Sequence, residues 1–323
     1  MNNRKVKFVL FTCLLLVFTV LAACGNNNSK EENGNKENGS SEEAKDRTVT
    51  DAIGNEVTVP AEPKSVIGSY LEDDLVALGV TPVAQWSIQE GKGVQDYLQE
   101  YLKDVPTIDS ALPYEAVSSF TPDLVLMSSA SVVEGAKYDQ YAKIAPTYVV
   151  AKENNNDWRT RLQTIGDVVG KKEEAEKVLA DYDKKAEEAK GKIQESIKDE
   201  SAAAIWLVSN QLFIVGENVS SGAVLYGDLG LKVPEVVKEI SATATGNWSA
   251  ISLEKLAQLD ADHLFLINSD GEGAEVLKDS LWSNIPAVKN GNIYEYSPDS
   301  SWLYSGPIAN TQIIDDVVES LVK

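Results

Sequence analysis

Cysteine is all but missing: Cys13 and Cys24 are the only two in 323 residues. Whatever folds beyond them has no thiol, which excludes a disulfide framework, a thiolate metal site and a cysteine nucleophile. Histidine is scarcer still. His263 stands alone inside the apolar run Asp262-His263-Leu264-Phe265-Leu266-Ile267, where a structural imidazole fits better than a ligand or a general base. Arginine is confined to Arg4, Arg47, Arg159 and Arg161, and positive charge of any kind is short, with 29 Lys and Arg against 50 Asp and Glu. A formal charge of -21 excludes nucleic acid as a partner, because that binding rests on neutralising phosphates. No glycine-rich phosphate loop, nucleophile elbow or metal-spaced His or Cys cluster appears, so the chain does not read as an enzyme, and no cofactor is expected.

Long apolar runs are also rare, and the one at Phe8–Leu21 is too short for a membrane span of ~20 residues. It follows Arg4, Lys5 and Lys7 with no acid among them, the pattern of an export signal over residues 1–23. Leu21-Ala22-Ala23-Cys24 resembles the lipobox of bacterial lipoproteins, which implies cleavage before Cys24, a palmitate-type lipid on it, and a place on the outer face of the cell membrane. Once the three leading bases are gone, 26 remain against 50 acids. Residues 24–47 are rich in Asn, Lys, Glu, Gly and Ser and offer little to bury, so they read as a disordered tether.

The rest is organised around 157–198, a connecting helical segment. Trp158, Leu162, Ile165 and Val169 recur at helical spacing, Gly170 interrupts, and Ala175, Val178, Leu179, Tyr182, Ala186, Ala189 and Ile193 resume the stripe. On the opposite face Glu173 precedes Lys177, Asp181 precedes Lys185 and Glu188 precedes Lys192, each by four residues. Lys172–Ile193 alone would span roughly 33 Å. On either side the same grammar recurs. In 48–156 a hairpin over Thr48–Pro60 turns at Gly54-Asn55, strands are expected at Lys64–Gly68, Val80–Ala84 and Pro122–Met127, and helices at Leu71–Leu78 and Glu115–Phe120. In 199–323 strands are expected at Ala202–Val208, Leu212–Val215 and Asp262–Ile267, with helices at Ala223–Leu229 and Leu253–Leu259. Glu115 leads Asp123 by eight residues, as Glu254 leads Asp262. The expected fold is therefore α/β, two Rossmann-like lobes with mainly parallel sheets joined by one long α-helix.

Two facing lobes of this kind place their strand-end loops around a shared cleft. Those loops offer Tyr70, Trp86 and Ser128 from the first lobe and Ser220, Trp248, Trp302 and Tyr304 from the second. Trp86 and Trp302 stand out because their Ser and Gln neighbours leave them few apolar partners nearby. Arg159 and Arg161 open a helix, where the macrodipole disfavours cations. They pair with Asp157 or a surface acid, or hold an anionic ligand by bidentate contact. Glu115 and Glu254 lie near helix starts, where acids are stable for structural reasons. Their repetition also fits two exposed anionic knobs for a two-fold partner with basic sockets.

Together with Asp51, Gly54 and Val59-Pro60, with Leu78-Gly79-Val80 and Pro82-Val83-Ala84, with Glu115 and Pro122-Asp123, with Trp248, Glu254 and Asp262, and with Leu281-Trp282, Pro286-Ala287-Val288 and Gly291, the chain resembles the substrate-binding lipoproteins of bacterial ABC importers, of the helix-linked type that carries ferric siderophores and cobalamin. Within that family it is similar to Gram-positive binders of iron-hydroxamate and citrate-hydroxamate siderophores. The resemblance implies a monomer that takes a ferric siderophore between its lobes and docks through Glu115 and Glu254 on arginines of a dimeric permease with its ATPase. Ferric hydroxamate receptors often carry a Trp and an Arg in the loop before a helix like Ala223–Leu229. Here that loop is Glu217-Asn218-Val219-Ser220-Ser221, a departure from the pattern. Cobalamin, haem and catecholate chelates are the alternatives on the same fold, an extracytoplasmic hydrolase or an adhesin on another.

Overall fold

Leu124-Val125-Leu126-Met127 presents an apolar side chain to both faces of a sheet, the composition of a strand covered on each side. In the computed structural model of this protein these four residues form a central parallel strand, and all are buried. The structure describes residues 45–153 and 157–322. The expected export signal, Cys24 and most of the expected tether lie outside them.

Strands β1 (Arg47–Thr50) and β2 (Glu56–Val59) make the hairpin, with Thr50 opposite Glu56. Asp51 builds its turn by accepting the amides of Ile53 and Asn55 at 3.0 and 2.8 Å, while Gly54 takes a φ of +93°. Arg47, read as the last residue of the tether, opens β1 instead, its guanidinium anchored on the carbonyls of Asp167 and Val168. The first lobe continues with β3 (Val66–Ser69), β4 (Gln85–Ser87), β5 (Thr107–Asp109), β6 (Leu124–Met127) and β7 (Thr147–Val149). β3, β6 and β7 pair in parallel, β4 and β5 do the same, and a parallel bridge between Ile67 and Ala84 joins the two sets. The strand expected over Val80–Ala84 lies further on. Val80 still belongs to the preceding turn, donating its amide to the Leu75 carbonyl after Gly79 at φ +73°. Helices α1 (Glu72–Ala77) and α2 (Tyr114–Ser119) complete the part that matters for the cleft.

Helices α3 (Trp158–Val168) and α4 (Lys172–Ile197) connect the lobes. The Asp157 carboxylate accepts the Thr160 amide at 3.1 Å and so caps α3. At 26 residues, α4 is longer than its stripe suggested and runs ~39 Å. Its surface charges pair differently from the expected acid-before-base order: Lys177 reaches Asp181 at 2.5 Å and Lys184 reaches Glu188 at 4.0 Å. Lys185 crosses to Asp315 at 2.6 Å, because the last helix of the chain packs along α4.

The second lobe comprises β8 (Ala202–Val208), β9 (Gln211–Val215), β10 (Trp248–Ile251), β11 (His263–Asn268) and β12 (Ile293–Tyr296), in the order β10-β9-β8-β11-β12. Its β8-β11-β12 half is parallel, whereas β8-β9-β10 is antiparallel. Helix α5 (Ser220–Gly222) passes directly into a π-helical stretch, Ala223–Asp228, and is followed by α6 (Leu253–Leu256) and α7 (Pro307–Leu321).

The eight-residue repeat has a physical basis. Asp123, just before β6, accepts the Lys64 and Ser65 amides at 2.7 and 2.9 Å, where the chain enters β3. Asp262, just before β11, accepts the Ser201 amide at 2.8 Å and its hydroxyl at 2.7 Å, where the chain enters β8. Each aspartate clamps two neighbouring parallel strands at their starting ends. His263 comes next and is structural: its Nε2 lies 2.6 Å from Glu200 and its Nδ1 3.2 Å from the Tyr294 hydroxyl. One hydrophobic core runs through both lobes, from Leu71 and Leu75 past Tyr182 and Ile193 to Phe265, Ile313 and Val317.

Candidate functional site: a cleft between the lobes

The strand ends of the two sheets open on a cavity of about 680 Å³. One wall is aromatic and drawn from both lobes. Tyr70, the residue after β3, is 46% exposed, meets the Trp86 ring edge-on at 5.0 Å and lies 6.3 Å from Tyr304. Tyr97 packs 4.8 Å from Tyr304 on its other side. Ser128, at the end of β6, adds a hydroxyl, and the loop segments 216–219 and 244–247 form the facing wall. Tyr70 and Ser220 both hold left-handed backbone, at φ +59° and +47°, each where a strand-end loop turns into a helix. For side chains of this size such a conformation is strained, and strain of this kind gathers at binding sites.

The floor carries the carboxylates of Asp73 and Asp74, with Glu72 next to them in the chain but outside the lining. Glu72, Asp73 and Asp74 occupy the first turn of α1, where the helix dipole favours acids, yet all three are buried. Asp73 accepts the amides of Ile308 and Ala309, both at 2.9 Å, and the Tyr97 hydroxyl at 2.9 Å. A side chain of the first lobe thus caps α7 of the second. No side chain fits between them, since a Cβ on Gly306 would sit 2.5 Å from the Asp73 carboxyl carbon. Asp74 pairs with Arg161, whose Nε lies at 2.8 Å and whose Nη2 donates to the Ser305 carbonyl at 2.8 Å. Glu72 accepts the Trp86 amide at 2.7 Å through one oxygen, while the other is buried without a partner.

Burial governs the protonation of this floor. It raises the Glu72 carboxyl to about 7 against the pull of the Trp86 amide. It raises Asp73 to about 6, helped by the Asp74 charge and opposed by the Ile308 and Ala309 amides. Burial also pushes Asp74 up, with the Arg161 guanidinium working against it. The phenols of Tyr70, Tyr97 and Tyr304 are raised by the same desolvation and remain hydrogen-bond donors at neutral pH.

Of the residues singled out in the sequence, Tyr70, Ser128, Arg161 and Tyr304 line the cavity, and Trp86 backs Tyr70. Ser220 is buried beneath the wall and donates to the Tyr304 carbonyl at 3.2 Å, so it positions a loop instead of meeting solvent. Arg159 lies elsewhere: it pairs with Asp183 at 3.1 Å and Asp228 at 2.9 Å, and its guanidinium covers the Trp158 and Tyr182 rings. Trp302 is a core residue, fully buried, stacked on Phe265 at 4.8 Å and donating its indole N–H to Asp316 at 2.8 Å. Trp248 sits on edge strand β10 against Trp206, facing a shallower hollow behind the 244–246 loop. Glu115 and Glu254 are exposed in the first turns of α2 and α6, and neither pairs with a cation among the described residues. Sequence reasoning missed Asp73, Asp74, Tyr97 and Glu217. The run of three acids directly after a buried strand and a leucine was the one signal available for the floor.

Known proteins share this architecture. The model of the periplasmic binding protein family matches residues 66–300. The iron(3+)-hydroxamate-binding protein FhuD of Bacillus subtilis (strain 168) is 30% identical over 316 residues, covering 96% of each chain. Among solved structures, a FhuD fold-family periplasmic binding protein component of a Fep/Fec-like ferrichrome ABC transporter from Bacillus subtilis superposes with a TM-score of 0.72 at 26% identity, over 85% of this chain and 100% of that one. Staphylococcus aureus SirA complexed with staphyloferrin B gives 0.71 at 25% identity, over 85% and 98%. With its fold and its sequence both matched along most of their length, the chain belongs to the periplasmic binding protein family.

Proposed function

We propose that this protein is an extracytoplasmic receptor that holds a ferric hydroxamate siderophore in the interlobe cleft and delivers it to an ABC permease. The cleft itself carries the reading: a cavity of about 680 Å³ walled by Tyr70, Tyr97 and Tyr304, with phenol and serine hydroxyls at its surface, suits a bulky chelate with polar edges. All ligands of the ferric ion would come from the siderophore; the protein would supply stacking surface and hydrogen bonds and perform no reaction. Relatives named for iron-hydroxamate binding support the cargo. Anchoring through a lipid on Cys24, at the head of the segment read as a tether over 24–47, would keep the receptor near its permease.

Docking is assigned to Glu115 and Glu254, the exposed acids that open α2 and α6. A dimeric permease with basic sockets would take one glutamate per subunit. Closure on the ligand should be modest, a few degrees, since α4 is a single stiff helix and one core joins the lobes. Quenching of tryptophan fluorescence by ferric hydroxamate, citrate and catecholate chelates and by haem tests the cargo. A hydroxamate complex should saturate the signal at micromolar concentration or below, and binding confined to haem or a catecholate would overturn the assignment. Replacing Glu115 and Glu254 together by Ala should abolish uptake with affinity unchanged, whereas lost affinity would reassign them to the fold.

A further inference from the structure

The charges around the cavity are lopsided. Its lining includes the carboxylates of Asp73, Asp74 and Glu217 and a single cation, Arg161. That guanidinium is already engaged, by Asp74 through Nε and by the Ser305 carbonyl through Nη2. Glu217 is half-buried on the second-lobe wall, and its carboxylate has no hydrogen-bond or ion-pair partner among the described residues. Asp96 from the first lobe and Asp299 from the second are close enough for each field to act on Tyr304, and Asp299 acts on Asp96 as well. Acids of both lobes thus gather near Tyr304. The rings of Tyr70, Tyr97 and Tyr304 line the same cavity as Glu217, and aromatic faces attract an ammonium group.

Granting the ferric siderophore cargo proposed above, we infer that this cleft selects by charge: it takes a hydroxamate chelate bearing a free ammonium group, seated among Glu217 and the tyrosine faces, and disfavours chelates that carry carboxylates. Citrate-derived siderophores fall on the wrong side of that choice. Among the described lining residues the one cation open to their carboxylates is Arg161, whose charge is already balanced by Asp74. An ammonium answers both features at once, as counter-charge for Glu217, Asp96 and Asp299 and as cation for the aromatic wall.

One matched series of ligands tests this: a linear ferric trihydroxamate with a terminal amine, its N-acetyl derivative, which is neutral at that end, and its N-succinyl derivative, which is anionic there. The amine form should bind about tenfold more tightly than the acetyl form, the equivalent of a cation–π and ion-pair gain near 1.4 kcal/mol, with the succinyl form weakest. Glu217→Gln should narrow the gap between amine and acetyl forms. Raising salt from 50 to 500 mM should weaken the amine form alone, a readout that needs no variant. Equal affinity for all three, or tightest binding of the succinyl form, overturns the charge selection while leaving a hydroxamate receptor in place. If none of the three binds and a catecholate or haem does, the cargo assignment falls, and the charge selection with it.

Discussion

Tyr70 in the first lobe and Ser220 in the second occupy equivalent points, each a left-handed residue at the junction of a strand-end loop and a helix. Their surroundings differ. The first lobe buries Glu72, Asp73 and Asp74 behind Tyr70, whereas the second buries the hydroxyls of Ser220 and Ser221. The sheets differ too, parallel in the first lobe apart from its opening hairpin and half antiparallel in the second. The first lobe therefore holds the fully buried carboxylates, one of which ties the halves together. The second contributes loop backbone that shapes the facing wall. One cleft is built from a side anchored by buried carboxylates and a side of loops that carry Glu217 and Tyr304.

Removing the anchor should have the largest effect. Asp73→Ala leaves the first amides of α7 and the Tyr97 hydroxyl without an acceptor and should cost about 3 kcal/mol of stability, together with ligand affinity. Ser220→Ala, at the matching place in the second lobe, should cost under ~1 kcal/mol. Denaturant midpoints for the pair decide it, and equal losses would erase the asymmetry.

Acidity sharpens the contrast further. Glu72 and Asp73 titrate near 7 and 6 in the folded protein, above their ordinary values of 4.5 and 3.8. Between those limits the folded state binds more protons than the unfolded one, so their contribution to stability falls as pH rises from about 4 to about 7. Glu72→Gln should match the parent near pH 4 and exceed it by about 2–3 kcal/mol above pH 7. A difference independent of pH would mean that the burial of Glu72 carries no electrostatic cost. The smallest effect belongs to the tryptophans. Trp302→Phe should lower stability by about 1 kcal/mol through loss of the bond to Asp316, with affinity intact. Trp86→Phe should spare stability and remove most of the ligand-induced quenching.

The strands were legible where composition decides them. β6 and β11 are apolar on both faces and each comes directly after an aspartate, so strand, burial and internal repeat could all be read locally. The tryptophans were not legible, because Trp86 and Trp302 have similar neighbours in sequence. Only the fold brings Phe265, Tyr296 and Asp316 to Trp302. The arginines held a signal that went unused. Two residues apart on a helix, Arg159 and Arg161 project about 200° apart, so one cleft was never going to receive both. The acids of α1 drew no reading at all, since nothing local reveals that α7, more than 230 positions later, closes over Asp73.

That late closure bears on biogenesis. A polypeptide threaded outward from its amino end exposes the Tyr70 loop and the whole of the connecting strut long before Pro307 emerges, and until then the carboxylates at the base of the pocket have no lid. A chain stopped short of residue 307 would lack both the amides that Asp73 accepts and the core residues Ile313 and Val317 that join the lobes.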